Sequence, residues 1–262
     1  MLNRKKVKRL YHCEEKNHFI SKEPFTAKHF RKILSGDEFI NGKTRWCLWL
    51  KDVQPNEIKE SKLILERVQN VKEFRKKSTK IPTQKAANFP TLFAELRQPN
   101  NDFLLIPLTT SENRKYIPLG FFSKNYIVTN SCSVISDATL FHFGILTSEM
   151  HMTWVKYVCG RLESRYRYSN SIVYNNYPWP NNPTTKQIKS VETAAQKVLE
   201  IRSTFPNNSL ADLYDQFTMP PVLVKAHCEL DKAVDKCYRE NPFSNELKRI
   251  EYLFELYDTY TS

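Results

Sequence analysis

The sequence predicts an α+β fold, with a mixed or antiparallel sheet and helices over residues 1–180 and a small all-α domain over residues 181–262. Two patterns support this division. Short apolar runs rich in branched and aromatic residues, separated by polar turns, follow residue 103 and are typical of strands. After residue 184 the apolar residues recur at helical spacing. A chain of 262 residues is long enough to bury the cores that such an arrangement needs.

The part before residue 103 mixes helix and strand signals. Its predicted elements are a basic arm (1–16), a short helix (Pro24–Leu34), turns at Gly36 and Asn41-Gly42, a strand (Arg45–Leu50), and a helix from an Asn56 N-cap to about Lys77.

The part from residue 103 to residue 160 contains the predicted strands and one helix. The strands are Phe103–Leu108, Tyr116–Phe122, Tyr126–Val128, Val134–Ile135 and Thr139–Leu146. A helix over Ser148–Cys159 follows, and Gly160 suits its C-cap.

The segment Asn181–Thr184 resembles a linker, and three helices are predicted after it. Their apolar positions are Ile188, Val191, Val198 and Leu199, then Leu223, His227, Leu230 and Val234, then Leu247, Ile250, Phe254 and Tyr257. Met219-Pro220-Pro221 starts the second helix, in which His227 is expected to be a packed histidine and not a catalytic one.

The net charge of +12 is distributed unevenly. Residues 181–262 hold 10 Lys and Arg against 12 Asp and Glu, which leaves 30 basic against 16 acidic residues in 1–180. The positive excess therefore lies wholly in the first part, as expected of a polyanion-binding module with a nearly neutral appendage.

The six cysteines form no CxxC pair and have no histidine at zinc-finger spacing. We expect them to be reduced and mostly buried, without a metal site. Because no apolar run reaches membrane-spanning length and the basic N-terminus has no apolar signal core, we expect no membrane partner and a cytoplasmic location.

The most unusual stretch is 160–180, GRLESRYRYSNSIVYNNYPWP. Arginines alternate with tyrosines at 165–168, after Arg161 and Glu163. Guanidinium groups, a carboxylate and aromatic faces are groups that contact base edges and phosphates, although a solvated charged strand has the same composition.

Other basic residues are candidates for contacts to a DNA backbone. They are Arg75, Lys76 and Lys77 at a predicted helix end and Arg114 and Lys115 beside a predicted strand. A helix dipole alone also favours cations at a helix C-terminus, so the first group has a purely structural explanation as well.

The sequence lacks the loops of a methyltransferase. Its five glycines are isolated, so there is no glycine-rich strand-to-helix turn for S-adenosylmethionine. An Asn/Asp-Pro-Pro-aromatic loop for a flipped adenine is also absent, and no nuclease signature or catalytic triad is present.

Long motifs resemble the target recognition region and helical C-terminal domain of MmeI-like (Type IIL/IIG) restriction-modification DNA methyltransferases. The motifs are FINGKTRWCLWL (39–50), PTLFAELRQP (90–99), LLIPLTTSENRKYIPLGF (104–121), ATLFHFGILTSEMHMTWVKYVCGRL (138–162), RYSNSIVYNNYPWP (167–180) and SLADLYDQFTMPPVLVKAHCELDKAVDKCY (209–238).

The resemblance implies that this region is the specificity part of an adenine-N6 methyltransferase and binds double-stranded DNA. In that family the loop after the VCGRL helix contains the base-reading residues, which fall here on Glu163, Arg165 and Arg167, with Arg161 among weaker backbone contacts and Ser131 a lesser candidate. The methyltransferase and nuclease domains are missing, so we expect DNA binding without modification, and S-adenosylmethionine belongs to the missing methyltransferase domain.

Two other hypotheses remain. The chain could dock on a separate methyltransferase subunit and bind DNA phosphates without reading sequence, or it could itself be an enzyme, which the missing loops disfavour.

Overall fold

The computed structural model describes residues 10–96 and 98–262. Its strands are β1 (Leu10–Tyr11), β2 (Phe30–Leu34), β3 (Arg45–Leu48), β4 (Phe103–Pro107), β5 (Thr109–Thr110), β6 (Gly120–Phe122), β7 (Ile127–Val128), β8 (Cys132–Ser136), β9 (Gly160–Leu162) and β10 (Arg165–Arg167).

Helices make up more of the chain than strands do. They are α1 (Cys13–Lys22), α2 (Gly36–Ile40), α3 (Pro55–Glu60), α4 (Lys62–Lys76), α5 (Ile81–Lys85), α6 (Leu140–Leu146), α7 (Glu149–Val158), α8 (Thr185–Ser203), α9 (Leu210–Leu213), α10 (Pro221–Tyr238) and α11 (Glu246–Thr261). Short 3₁₀ helices cover Pro24–His29 and Ala86–Asn88, and a π-helical turn covers Asn170–Tyr174.

The chain forms two compact units. The first comprises residues 1–34, 43–98 and 124–129, and the second comprises 35–42, 99–123 and 130–262. Residues 1–9 of the predicted basic arm lie outside the described residues. The second unit includes strands from before residue 180 and helices from after it, and the domain boundary at residue 180 stays a prediction.

The first unit is built around a four-stranded sheet in the order β1-β3-β2-β7. The pairs β1-β3 and β2-β3 are antiparallel, whereas β2 and β7 are parallel. Tyr11, Phe19 and Phe30 pack edge to face, with ring centroids 5.2 to 5.8 Å apart, beside Leu48 and Ile64. Aromatic packing therefore joins α1 to the sheet, and Ile64 adds α4 to the same apolar cluster.

The second unit contains two three-stranded antiparallel sheets, ordered β6-β4-β8 and β5-β10-β9. Its core continues from these sheets into the helices, through buried residues such as Leu104, Phe143, Trp154, Val191 and Leu230. The mixed and antiparallel sheets and the C-terminal helices confirm the predicted α+β fold class.

The predicted strand Thr139–Leu146 is wrong, because this segment is helix α6. Thr139 is its N-cap, and His142 forms the reciprocal capping contact to the Thr139 backbone N–H. Phe143, Gly144, Ile145 and Leu146 are all buried. A short continuous apolar run is compatible with either a buried helix or a buried strand. Packing against neighbouring helices favours the helix here.

The predicted helix Pro24–Leu34 is half wrong, since only Pro24–His29 is helical, as a 3₁₀ turn, and Phe30–Leu34 is strand β2. The backbone N–H of Trp49 donates to the carbonyl of His29 at 2.8 Å, which continues the β2-β3 ladder at this point. Pairing with β3 therefore ends the helix at residue 29.

The predicted helix from Asn56 to Lys77 is divided into α3 and α4 at Ser61. Gln54, not Asn56, is the N-cap of α3. The Ser61 hydroxyl accepts from Ile64 N at 2.9 Å and also bonds to the Glu23 carboxylate. By capping the N-terminus of α4, the Ser61 side chain favours a break between the two helices over one continuous helix.

Only Gly120–Phe122 of the predicted strand Tyr116–Phe122 is a strand, and Pro118, which has no N–H to donate, lies in the part that is not. The predicted C-cap at Gly160 is also wrong. Cys159 is the C-cap of α7, with extended backbone, and Gly160 begins β9. The predicted helix Ser148–Cys159 is confirmed as α7, of which Ser148 proves to be the N-cap. The three long C-terminal helices are also confirmed.

Candidate nucleic-acid interface

The Arg/Tyr-rich stretch forms a β-hairpin made of β9 and β10. Arg165 pairs with Leu162, Tyr166 with Arg161 and Arg167 with Gly160. The two-residue tip is Glu163-Ser164, and Glu163 has a φ of 56°. Two-residue hairpins favour a positive φ in the turn. Glu163 adopts this left-handed conformation although it is not a glycine.

The strand β10 has one buried face and one exposed face. Tyr166 is buried opposite Thr110, whereas Arg165 and Arg167 are exposed. Arg167 pairs with Thr109, which is only partly buried. Since successive side chains of a strand alternate between faces, Arg165 and Arg167 project from the same side.

The tyrosines of this stretch do not offer the stacking faces that the sequence suggested. Tyr166 is 5% exposed and Tyr168 is 3% exposed. The Tyr168 hydroxyl lies 3.2 Å from His151 Nε2, and the Arg161 guanidinium covers the Tyr166 ring at 3.9 Å. The tyrosines anchor the hairpin to the core, and the arginines remain outside.

The hairpin tip is a cluster of opposite charges. Arg165 forms an ion pair with Glu163, and both side chains are exposed. Arg161 Nη1 donates to the carbonyl of Ser164 at 3.3 Å, and Arg161 Nη2 donates to the carbonyl of Lys156 at 3.4 Å. The structure thus brings Glu163 and Arg165 together, while Arg161 braces the turn.

Glu112 is a residue at the tip that the sequence analysis did not identify. A hydrogen bond from the Ser164 side chain lowers the pKa of the Glu112 carboxyl, and the charges of Arg165 and Arg161 lower it further. Glu112 lies in the polar turn after β5. A polar turn has no periodic pattern, so the sequence alone does not distinguish Glu112 from other exposed carboxylates. The pairing of β5 with β10 places the turn here.

An open groove of about 380 Å³ adjoins the hairpin. Its lining comes from α2, the β5 turn, the start of β8 and β10: Gly36, Asp37, Ile40, Asn41, Thr109, Thr110, Ser111, Arg114, Ser131 and Arg165. The Ser131 hydroxyl accepts from Gly36 N at 3.1 Å, so the lesser candidate Ser131 joins the walls of the groove.

The two basic residues of the β5 turn differ in environment. Arg114 Nη1 donates to Thr110 Oγ1 at 3.3 Å, and its Nε is buried without a hydrogen-bond partner among the described residues. Burial lowers the pKa of the Arg114 guanidinium, and the charge of Asp215 opposes this. Lys115 is exposed, 4.0 Å from Glu149. Arg114 lines the groove, and Lys115 does not.

The remaining predicted backbone contacts lie in the first unit. Arg75 is a structural link, because its Nη1 donates to the carbonyls of Ala86 and Phe89 at 2.8 and 3.0 Å, and its Nη2 to that of Leu92 at 2.8 Å. Burial lowers the pKa of Arg75. Lys76 and Lys77 are exposed at the end of α4.

The described part of the chain contains no cluster of three or more His, Cys, Asp or Glu side chains that could hold a metal ion. All six cysteines are free thiols, and four of them are buried. His227 is buried and stacks on Tyr116 at 4.0 Å, which confirms its packing role. Within residues 10–96 and 98–262, no helix is long and apolar enough to cross a membrane.

Two protein-family models together match almost the whole chain. The model described as "MmeI, target recognition domain" matches residues 5–181, and "MmeI, C-terminal domain" matches residues 183–262. DNA methyltransferase A of Bacillus subtilis (strain 168) is 39% identical over 252 residues, which cover 96% of this chain and 28% of that protein.

A solved structure is similar over the same extent. It is the Type IIL restriction-modification enzyme MmeI in complex with DNA, with a TM-score of 0.92 and 50% identity, and the match covers 96% of this chain and 34% of that chain. The present chain therefore spans about a third of the length of the proteins it matches. It belongs to the MmeI family, and it corresponds to that family's target recognition and C-terminal domains.

Proposed function

We propose that this chain reads the base sequence of double-stranded DNA through the exposed face of the β9-β10 hairpin. The observation that supports the proposal most strongly is the ion pair of Glu163 and Arg165 at the tip, with Arg167 on the same exposed strand face. The buried Tyr166 anchors the strand from which the two arginines project, so the backbone that carries them is preorganised.

The chemistry of the pair suits one C·G base pair. A carboxylate accepts from cytosine N4, and a guanidinium donates to O6 and N7 of the paired guanine, so adjacent Glu163 and Arg165 can contact both bases of the pair. A bidentate contact of this kind discriminates by about 1–3 kcal/mol. Arg114, at the groove, and the exposed Lys115, Lys76, Lys77 and Arg161 supply candidate phosphate contacts.

The whole enzyme to which this region would belong is an adenine-N6 DNA methyltransferase of the Type IIL class, acting in the cytoplasm. The names of the two similar proteins, a DNA methyltransferase and a restriction-modification enzyme bound to DNA, support this proposal. S-adenosylmethionine would be bound by a methyltransferase domain, and this region would supply specificity without catalysis.

The proposal is tested by selecting duplexes from a randomised pool with the purified protein and sequencing those retained. We expect a short motif that includes a C·G pair. The double variant Glu163→Lys with Arg165→Asp should change the preference at that one position from C to G. A charge swap of the exposed pair Lys197 and Glu229, on α8 and α10, conserves net charge equally and should leave the motif unchanged.

The alternative is a module that docks on a separate methyltransferase subunit and binds phosphates only. It predicts retention of DNA with steep salt dependence and no enriched motif. An enriched motif that is identical in the wild type and the Glu163/Arg165 variant would instead show that bases are read elsewhere on the protein.

A further inference from the structure

A second basic surface lies on the C-terminal helices, between α8 and α10. The two helices run antiparallel: Gln187 Nε2 donates to the carbonyl of Lys236 near one end, and Lys197 Nζ donates to Glu229 at 2.6 Å nearer the other. A groove of about 560 Å³ lies between them, and we call it the lysine groove. Its α8 wall is formed by Lys186, Lys189, Ser190, Thr193 and Lys197, and Glu229 lies on its α10 wall.

Lysines of α10 extend this basic surface. Lys225, Glu229, Lys232 and Lys236 recur at a spacing of three or four residues, so their side chains share one face of the helix. Lys225, Lys232 and Lys236 are all exposed. Since Glu229 lines the lysine groove, these three lysines lie along its α10 wall.

The acidic residues of the same two helices do not neutralise this surface. Asp231 and Asp235 are buried in the core of the second unit. Glu192 and Glu200, on α8, do not line the groove, and Glu229 is engaged in an ion pair there. The balance of 10 basic against 12 acidic residues over 181–262 therefore coexists with one helix face that is strongly basic.

The first two lysines of α8 have no local structural role that explains them. Lys186 lies in the first turn, which contains no acidic residue. The positive end of the helix dipole disfavours a cation there and favours an anion. Within residues 10–96 and 98–262, neither Lys186 nor Lys189 forms an ion pair. Their charges and the dipole thus add up at one end of the groove.

We propose that the lysine groove is a second DNA-contacting surface, which binds phosphates of the duplex without reading bases. The inference rests on the proposed binding of DNA, but not on base reading by the hairpin. Ammonium groups on flexible stems are suited to phosphate contacts, which position a duplex and carry no sequence information. From Lys186 to Lys197 the wall extends about 16 Å along α8, so it can contact more than one phosphate.

The lining favours a phosphate backbone over an acidic protein surface. The centres of protein–protein interfaces are enriched in aromatic residues, Met and Arg, and they are depleted of Lys. The apolar residues that line the lysine groove are Ala194 and Ala233, neither of which is large enough to anchor a partner protein. Exposed lysines above small side chains instead leave room for a sugar-phosphate backbone.

The double variant Lys186→Gln with Lys189→Gln tests the proposal in the full chain. Lys248→Glu is the matched control, because it also lowers the net charge by two and Lys248 is exposed on α11, outside the groove. For each protein we would measure Kd for the selected duplex and for a duplex without the motif, between about 50 and 200 mM salt. Urea unfolding checks that both variants remain folded.

We expect the double variant to bind both duplexes more weakly, by about tenfold or more at 0.1 M salt. The slope of log affinity against log salt should fall in magnitude by about 2, since each lost phosphate contact accounts for about 0.9. The ratio of the two Kd values should not change, because phosphate contacts are the same for every sequence. Lys248→Glu should keep the wild-type slope.

The possible failures are distinguishable. An unchanged salt slope in the double variant would overturn the second surface alone, and it would leave an acidic protein partner as the occupant of the groove. Equal losses in Lys248→Glu would show a general effect of net charge and would overturn it too. A reduced slope in a protein without base preference would support the groove and reject base reading by the hairpin. A wild type that does not bind DNA would reject both proposals.

Discussion

At the residue scale, identical side-chain types have different roles because of their surroundings. Arg165 and Arg167 are exposed on a strand face, whereas Arg75 donates to three backbone carbonyls. All three arginines were candidates for DNA contact on sequence grounds. Their separation into surface and structural roles depends on the partners that the fold places near each guanidinium.

The variant Arg75→Ala should lower the free energy of unfolding by about 2 kcal/mol, because hydrogen bonds to a charged donor contribute more than neutral ones. The loop that contains Ala86 and Leu92 would lose its link to α4. Lys76→Ala, at the exposed neighbouring position, should change stability by less than about 0.5 kcal/mol. Urea unfolding measures both, and equal effects would contradict the structural role of Arg75.

Arg167→Ala should relax base preference at a position two base pairs from the one that Arg165→Ala relaxes. Residues two apart on a strand are about 6.6–6.8 Å apart, which matches two base steps of about 3.4 Å. Selected-duplex sequencing with the two single variants gives the positions directly. Loss of preference at one shared position would show that the hairpin does not follow the helix axis in this way.

At the element scale, the helices of the second unit pack so closely that one of them needs a glycine. A Cβ on Gly144, in α6, would come within 2.5 Å of Val191 Cγ1 on α8 and 3.3 Å of Leu230 Cδ1 on α10. Glycine is a poor helix former, so its presence in α6 reflects this close approach and not local propensity.

Gly144→Ala should destabilise the protein by about 1–3 kcal/mol through overpacking, although alanine has the higher helix propensity. Gly160→Ala is the matched control, because a Cβ there meets nothing within 4 Å and the residue does not have a positive φ. That variant should be neutral or stabilising by up to about 1 kcal/mol. Thermal unfolding compares the two, and a stable Gly144→Ala protein would refute the packing argument.

At the scale of the whole molecule, buried titratable groups connect stability to pH. Burial lowers the pKa of His151 to about 4 and that of His227 to about 3. Burial raises the pKa of Asp231 to about 6, against hydrogen bonds from Glu149 N and the Tyr116 hydroxyl, both at 2.7 Å. As the pH falls, the two histidines and Asp231 therefore change the free energy of unfolding in opposite directions.

The histidines bind protons more readily when unfolded, so their stabilisation is lost as the pH falls from about 6.5 towards 4, each by about 1.4 kcal/mol per pH unit. Asp231 behaves in the opposite sense: its contribution is present below pH 3.8 and is lost as the pH rises towards 6. Removing Asp231 should therefore expose the full effect of the histidines.

We expect Asp231→Asn to make the loss of stability near pH 5 about twice as steep as in the wild type. An asparagine can still accept from Glu149 N and donate to the Tyr116 oxygen, so the fold should persist. Urea unfolding between pH 4 and 7 gives both slopes. Parallel slopes would mean that Asp231 does not retain its proton in the folded state in this range.

The sequence by itself determined the fold class, the helices at 148–159 and after residue 184, and the arginine-rich segment, because periodicity and composition are local properties. Tertiary structure decided the identity of the 139–146 segment, the burial of Tyr166 and Tyr168, and the place of Glu112. Each depends on groups distant in the sequence: α8 and α10 packed against α6, and β5 paired with β10. A local sequence pattern does not specify such contacts, because the same pattern of residues is compatible with many different positions of the distant elements.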